Sequence, residues 1–495
     1  MQKKNILIYS NTGLTSLQIG LTAEVFSLLN KEENNLKVVL CDNVLHNCFF
    51  NRSHNILGCI ACQSRLHKIL DLVGIPAENR IKLKFNPNGS DITIPNFDNL
   101  SELLRYTYKG IDIGRGAASS IITYYRDYEI SSAKYKDILD LELKKSMLVV
   151  DFFEEFLNNE SIDEIYLFNG RFSEVRPLMK LAQATKIPFY TIESGTVNHY
   201  HLYDNCLPHS IENSTLEIHD MWTKAAPQER LEIAEEFFFN RRTGNEKLGF
   251  SFTKKQQRDL LPDHFDFKKK NIVIFNSSED EFKVITEWET DLYKDQNSAI
   301  FQLVEHFKDK ADYHFYLRIH PNLTEVDNQQ LHELRAYSQD NLTIILPEEN
   351  VDSYCLIDSC EKALCFGSTM GAEATFGGKP SILYGNSFYM NLNCTYVPKS
   401  FEELESLILD DHLVPKDKLG ALMYGYYLST FGSPVEIIEF EDGKVSKIKD
   451  VKLKTFYPNA LGLGFRYLGN IKQWFNAHYA YFGKKLNLKD LKKYN

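Results

Sequence analysis

Three short segments in the second half of the chain carry side chains suited to a phosphate or a nucleotide, and each follows an apolar run. In Arg318-Ile319-His320-Pro321 a β-strand pattern ends in two donors. Residues i and i+2 of a strand project to one side, so Arg318 and His320 are expected to share a face, and Pro321 stops the strand from continuing. Cationic or neutral donors there could hold phosphate oxygens or a base carbonyl. Asn276-Ser277-Ser278 follows another strand and offers hydroxyls and backbone amides, although an ordinary polar loop would look the same. In Gly367-Ser368-Thr369, Gly367 permits close backbone approach and either hydroxyl could cap the helix that follows, whose free N–H groups suit an anion. Glu373 lies about one helical turn after Thr369 and could reach a ribose hydroxyl pair.

The first half repeats the arrangement with different chemistry. Asn169-Gly170-Arg171 ends one strand pattern, and Glu193-Ser194-Gly195 ends the next, followed by His199 and His201. Neighbouring strands would bring Asn169, Arg171 and Glu193 to one rim, where Glu193 could take a proton from a hydroxyl, with His199 a further candidate on the acceptor side. An ion pair of Glu193 with Arg171 or Arg176 is the plainer alternative. Cys59-Ile-Ala-Cys62 supplies half of a zinc pattern, but Cys41 and Cys48 have the wrong spacing for the other half. No metal is expected, and His199-Tyr-His201 lacks a clear third ligand.

The elements that position these residues alternate between strand and helix. Strands are expected at 6–9, 36–40, 164–168 and 189–193, with helices over 17–29, 138–157, 177–184 and 227–240. Residues 51–99 read as mostly irregular because Pro, Asn and Gly are scattered through 85–90. A second series places strands at 271–275, 313–319, 342–346, 362–366 and 380–384, with helices over 298–308, 351–358 and 370–376. Such alternation predicts parallel sheets with crossover helices. The expected organisation is a Rossmann-like domain over 1–245, a polar linker at 246–270, a second Rossmann-like domain over 271–415, and C-terminal helices with a tail over 416–495.

Bulk properties agree. A chain of 495 residues exceeds one ordinary core, and 43% hydrophobic with 25% charged residues is globular. The net charge of −11 argues against nucleic-acid binding, and cysteines are expected to be reduced in a cytoplasmic protein. No stretch is apolar enough to suggest a membrane span. From Val451 to Asn495, nine Lys or Arg stand against one acid, giving +8 and leaving about −19 elsewhere. Over 456–495 these cations alternate with aromatics such as Trp474, Phe475 and Tyr481, which suits an anionic membrane surface or a helix packed on the body.

These motifs resemble the GT-B glycosyltransferases of bacterial capsule and lipopolysaccharide synthesis. They are most similar to the capsule polysaccharide biosynthesis group that includes β-Kdo transferases, and more distantly to bacterial sialyltransferases. His320-Pro321 looks like the His-Pro motif that contacts the cytidine monophosphate of a donor, and Ser368-Thr369 like the motif holding its phosphate. The run from Glu373 to Pro380 is similar to the Glu-Ala…Gly-Lys-Pro stretch of that group. Asn169-Gly-Arg171 and Glu193-Ser-Gly195 look like segments of related capsule proteins, the latter departing from the paired acids of the sialyltransferases. The resemblance covers about residues 160–390 and implies an α/β GT-B fold, two Rossmann-like domains facing a central cleft. It implies transfer of a CMP-activated ulosonic acid to a glycan or glycolipid acceptor, with inversion and without metal or cofactor. Donor residues would be Asn276, Ser277, Ser278, Arg318, His320, Pro321, Gly367, Ser368, Thr369 and Glu373. Catalysis would fall to Glu193, His320 and Arg318, at the inner face of the cytoplasmic membrane. A UDP-GlcNAc 2-epimerase, a glycerophosphotransferase and a non-catalytic assembly scaffold are the alternatives.

Overall fold

The computed structural model describes residues 3–32, 34–84, 92–245, 253, 256–441 and 443–453. The basic aromatic tail, the 85–90 stretch and the first part of the expected linker lie outside the described residues. The chain forms two compact units, one running to Pro208 and resuming at Gly432, the other His209–Phe431.

Unit 1 begins with β1 (Asn5–Ser10), α1 (Ser16–Lys31), β2 (Asn35–Leu40), α2 (Ile56–Leu72) and β3 (Arg80–Lys82). A small segment of α3 (Leu100–Leu104) and the hairpin β4 (Thr107–Tyr108) and β5 (Ile111–Asp112) leads to α4 (Gly114–Tyr125) and α5 (Ser132–Asn159). Then follow β6 (Glu164–Phe168), α6 (Arg176–Thr185), β7 (Phe189–Ser194) and β8 (His199–Asp204). The strands order as β14-β8-β7-β6-β1-β2-β3, with β14 (Ser433–Pro434) supplied by the returning chain. From β1 to β3 the chain moves one way and then crosses back to β6, so the switch point lies between β1 and β6. Ile6, Leu7 and Ile8 are wholly buried, as a central parallel strand covered on both faces requires.

The described part of residues 51–99 contains a long helix where an irregular segment was expected. Asn55 accepts N–H bonds from Leu57 and Gly58 and starts the 17-residue α2, whose Leu66, Ile69 and Leu70 enter the core. The Pro and Asn cluster further on had masked this helical spacing. β8 also runs antiparallel to β7, an addition that strand–helix alternation does not foretell.

Unit 2 opens with α7 (Ile211–Lys224) and α8 (Pro227–Thr243). Its sheet strands are β9 (Lys270–Phe275), β10 (Tyr313–Arg318), β11 (Leu342–Ile345), β12 (Lys362–Cys365) and β13 (Ser381–Leu383). Between and after them lie α9 (Gln296–His306), α10 (Gln329–Ala336), α11 (Ser353–Ser359), α12 (Met370–Phe376), α13 (Phe401–Leu409) and α14 (Leu419–Thr430). The all-parallel order β11-β10-β9-β12-β13 puts the switch point between β9 and β12. Alternate residues of β9 enter opposite cores, Ile272 and Ile274 one layer, Val273 and Phe275 the other.

The expected domain boundaries need correction. Residues 209–245 belong to unit 2, because Trp222, Phe237 and Phe238 pack with Tyr424 and Tyr427 in its core. The described part of 246–270 is not a free linker: Phe265 stacks on Tyr316 at 4.5 Å, and Gln256 pairs with Ser353. Helix α14 likewise belongs to unit 2, whereas the chain from Gly432 returns to unit 1. There β15 (Ile438–Glu441), β16 (Lys444–Ile448) and β17 (Val451–Lys452) form a small sheet. Val445 sits so close to Gly20 that a Cβ on Gly20 would lie 2.7 Å from it.

Candidate functional sites on the two strand edges

In unit 2, three adjacent strands deliver polar residues to one edge. Asn276-Ser277-Ser278 follows β9, His320-Pro321 follows β10, and Gly367-Ser368-Thr369 follows β12. Asn276 is buried and its Oδ1 accepts the His320 backbone N–H at 2.8 Å, which ties two strand ends together. Its Nδ2 is shielded and has no hydrogen-bond partner. Ser277 is held three ways: its N–H donates to Gln296 Oε1 at 3.0 Å, its Oγ accepts from Gln296 Nε2 at 2.8 Å, and its carbonyl accepts from Gln330 Nε2 at 2.9 Å. Ser278 is buried and donates to Asp280 at 2.7 Å.

Gly367 adopts φ +82, a conformation that excludes most side chains, and a Cβ there would lie 3.4 Å from Ser277 Oγ. The loops after β9 and β12 thus meet across the switch point. Ser368 Oγ accepts the Met370 N–H at 3.3 Å, and its carbonyl accepts from Tyr389 at 2.5 Å. Pro321 opens a single 3-10 turn, and His320 Nδ1 accepts the Asn322 N–H at 3.1 Å. Ser277, His320, Pro321, Gly367 and Thr369 remain half-exposed on this edge. Hydroxyls, an imidazole and backbone amides so gathered can surround phosphate oxygens.

Two expected donor residues turn elsewhere. Arg318 is buried, and its guanidinium donates to the carbonyls of Leu346 and Glu349 (3.0 Å for the latter). It therefore anchors the loop leading to α11 instead of joining His320, because the Leu346 and Glu349 carbonyls just after the neighbouring β11 lie within its reach. Burial lowers its pKa to about 10. Glu373 is also buried. It accepts from Thr369 Oγ1 at 2.9 Å, from Arg241 Nε at 3.2 Å and from Tyr354, so its lone pairs are committed within the fold. The one-turn spacing from Thr369 that suggested a ribose contact instead makes these two side chains partners.

In unit 1, Asn169, Arg171 and Glu193 do share one rim. Asn169 (φ 59) and Gly170 (φ 86) make a left-handed turn after β6. That turn aims Asn169 Nδ2 at Glu193 Oε2, 2.7 Å away. Glu193 Oε1 accepts the Ser194 N–H at 3.1 Å. Burial raises the Glu193 pKa against the lowering effects of Asn169, Ser194 and the Arg171 charge. Arg176, the alternative ion partner, binds Asp112 at 2.5 Å. His201 stands opposite Glu193 in register, and His199 is bonded through Nδ1 to the Val197 carbonyl at 2.8 Å.

A buried network that residue patterns do not foretell lies behind this rim. Lys145, fully buried, lies 2.9 Å from Glu142 and 3.3 Å from Glu174 and donates to the Asn47 carbonyl at 2.8 Å. Glu174 also accepts from Asn11 Nδ2 and the Phe49 N–H, both at 2.6 Å. Loops after β1, β2 and β6 are thereby tied to α5. Cys41, Cys48, Cys59 and Cys62 are buried nearby as free thiols. Among the described residues no three His, Cys, Asp or Glu are arranged to hold a metal.

The sequence matches no protein-family model. It matches no curated protein. Among solved structures, the chain is similar to the β-Kdo 2,4 transferase of KpsC from Thermosulfurimonas dismutans (13% identity over 54% of this chain and 79% of that one, TM-score 0.37). It is similar also to the β-Kdo 2,7 transferase of the same KpsC (16%, 62% and 86%, TM-score 0.33). A third is a putative UDP-N-acetylglucosamine 2-epimerase from Listeria monocytogenes (11%, 90% and 94%, TM-score 0.25).

Gln296, Gln330 and Tyr389 are further residues of the unit 2 edge that sequence reading missed. Gln296 and Gln330 sit in the first turns of helices, where their amides reach back to the β9 loop. Their only signal was a pair of glutamines on otherwise helical patterns.

Proposed function

We propose that this chain is a glycosyltransferase that takes a sugar from a nucleotide-activated donor and adds it to a bacterial surface glycan. The observation that carries the reading is the meeting of Asn276-Ser277, His320 and Gly367-Ser368 at the switch point of unit 2. Crevices of this kind are where doubly wound sheets bind nucleotides. His320-Pro321 and Ser368-Thr369 resemble the motifs that hold a cytidine monophosphate, so the donor proposed is a CMP-linked ulosonic acid.

In this scheme His320, the Ser277 and Ser368 hydroxyls and nearby backbone N–H groups meet the charge that builds on the leaving phosphate. Arg318 and Glu373 act indirectly, by holding the loop before α11 and the start of α12. On unit 1, Glu193 takes the proton from the attacking acceptor hydroxyl, and its raised pKa brings it nearer the working pH. A single displacement gives inversion, and the scheme requires neither metal nor cofactor. The basic, aromatic 456–495 segment supports peripheral contact with an anionic membrane, at the inner face of the cytoplasmic membrane. No helix among the described residues is long and apolar enough to cross one.

A binding screen of CMP, CDP, UDP and GDP against the wild type and the His320→Ala and Ser368→Ala variants tests the assignment. CMP is expected to bind and to weaken roughly tenfold in each variant, as loss of a charge-assisted bond implies. UDP binding with turnover of UDP-GlcNAc in the absence of acceptor favours an epimerase. No binding at all, or equal binding by the variants, overturns the site.

A further inference from the structure

The loop after β2 and the last turn of α4 form a second cluster in unit 1 that the proposed transfer leaves unused. At its centre the Arg52 guanidinium carbon lies 3.2 Å from the Tyr124 ring centroid, 5.1 Å from that of Tyr125 and 5.9 Å from that of Phe49. Arg52 Nη2 donates to the Ser120 carbonyl at 3.3 Å. Its Nε and Nη1 are shielded from solvent and have no hydrogen-bond partner. A guanidinium has five N–H donors and no acceptor, so aromatic faces compensate the lost water only in part. Tyr124, which covers it and meets Tyr125 edge-on at 4.9 Å, is 51% exposed.

Arg171 belongs to the same patch. Its Nη2 lies 3.5 Å from Thr123 Oγ1, and its guanidinium carbon lies 4.8 Å from the Phe172 ring. Phe172 in turn rests on Phe49 at 5.0 Å. Ser120 and Thr123 are three residues apart on α4, so both guanidiniums dock within one turn of that helix. The Asn169–Glu193 pair begins two residues before Arg171.

We infer that Arg52 and Arg171 form an anion-recognition subsite for the acceptor saccharide, with Tyr124 as its movable cover. This rests on the reading of unit 1 as the acceptor side. The ligand is a saccharide bearing a carboxylate or a phosphate. Its oxyanion displaces the Tyr124 ring and accepts from the unpartnered N–H groups of Arg52, a charge-assisted contact that the aromatic faces do not supply. A neutral sugar offers those donors only uncharged hydroxyl and ring oxygens, which compensate the loss of the Tyr124 contact less well than an oxyanion. The pair therefore selects acceptors by charge before Glu193 acts on a hydroxyl.

The test is a calorimetric titration of the full chain with glucuronic acid, glucose 6-phosphate and glucose, with CMP titrated in parallel. Wild type, Arg52→Gln, Arg52→Lys and Tyr124→Ala are compared, with melting curves to identify any variant that fails to fold. Both acids are expected to bind more tightly than glucose, and the tighter of the two identifies carboxylate or phosphate as the natural group. Arg52→Gln weakens the acids about tenfold, as loss of a charge-assisted bond implies, and Arg52→Lys, which keeps the charge with a different donor geometry, falls between. Tyr124→Ala strengthens them about fivefold by removing the cation–π contact that must be broken. Acids that bind no better than glucose, or variants that match the wild type, overturn the subsite. CMP affinity is expected to be the same in all four proteins. Its absence in the wild type would count against the glycosyltransferase reading, separately from the anion titrations.

Discussion

Asn169 donates to Glu193 across the ends of two neighbouring strands, at 2.7 Å, and the left-handed turn at Asn169 and Gly170 makes that bond possible. The carboxyl it holds is desolvated, and its pKa is raised. If Glu193 is the base, activity falls as pH drops through a value above the ordinary glutamate range. Asn169→Ala removes a donor that favours the carboxylate, so this acid limb of kcat/KM should move up by about one unit, equivalent to ~1.4 kcal/mol. A pH–rate profile with a limb that stays in place would show that Asn169 does not tune Glu193.

The same shift has a consequence for stability. Folded Glu193 keeps its proton to higher pH than the unfolded chain, whose glutamates titrate near about 4.3. Between those two values the folded state binds more protons, so stability declines as pH rises through the window and stays lower above it. Glu193→Gln should therefore raise Tm at pH 7, change it little at pH 4, and lower kcat by roughly 10²–10⁴. Calorimetry at the two pH values, beside an activity assay, checks both halves.

Lys145 lies between two buried carboxylates, Glu142 and Glu174. Lys145→Met leaves like charges buried together and should destabilise unit 1 by ~3–5 kcal/mol. Combining it with Glu142→Gln and Glu174→Gln should restore part of that loss. Urea denaturation of the single and triple variants measures the difference; equal midpoints for the two would show that charge is not the cause.

At Gly367, φ +82 and the nearness of Ser277 leave little tolerance for a side chain. Gly367→Ala should cost about 1–2 kcal/mol from left-handed strain alone. It should weaken CMP binding as well, because relieving that strain and the 3.3 Å approach of the new Cβ to the Asn386 carbonyl moves the loop that carries Ser368. Retained Tm with unchanged CMP affinity would show that the two loops need not approach this closely.

Glu373 separates a structural from a ligand-binding role. Because its partners are Arg241, Tyr354 and Thr369, Glu373→Gln should lower stability by about 1–3 kcal/mol through the weakened Arg241 pair, with CMP affinity unchanged. The opposite pattern, intact stability with lost affinity, would return Glu373 to the ribose.

Much of the strand–helix alternation was legible because central parallel strands read as short apolar runs, as at Asn5–Ser10 and Lys270–Phe275. The Asn276, His320 and Gly367-Ser368 grouping was legible for the same reason, since whatever follows a parallel strand stands on one edge. Side-chain direction beyond that edge was not. Arg318 looked like a partner of His320 by strand periodicity, yet carbonyls on the β11 side offered it bonds that periodicity does not describe. Helix α2 was missed because its apolar face is spaced among polar residues ahead of a Pro- and Asn-rich stretch.

The sequence by itself determined two parallel α/β series, the strand ends that carry polar residues, and the acidic body with its basic C-terminal segment. Local pattern suffices for these, since hydrophobic periodicity and turn residues act over a few positions. Only the tertiary structure decided that residues 209–245 join the second unit and that the chain from Gly432 returns to the first. It alone decided that Glu373 and Arg318 face inward, and that Arg52 lies beneath Tyr124. Those outcomes depend on which acceptors and ring faces come near in space, and burial forces each polar group to find a partner among them.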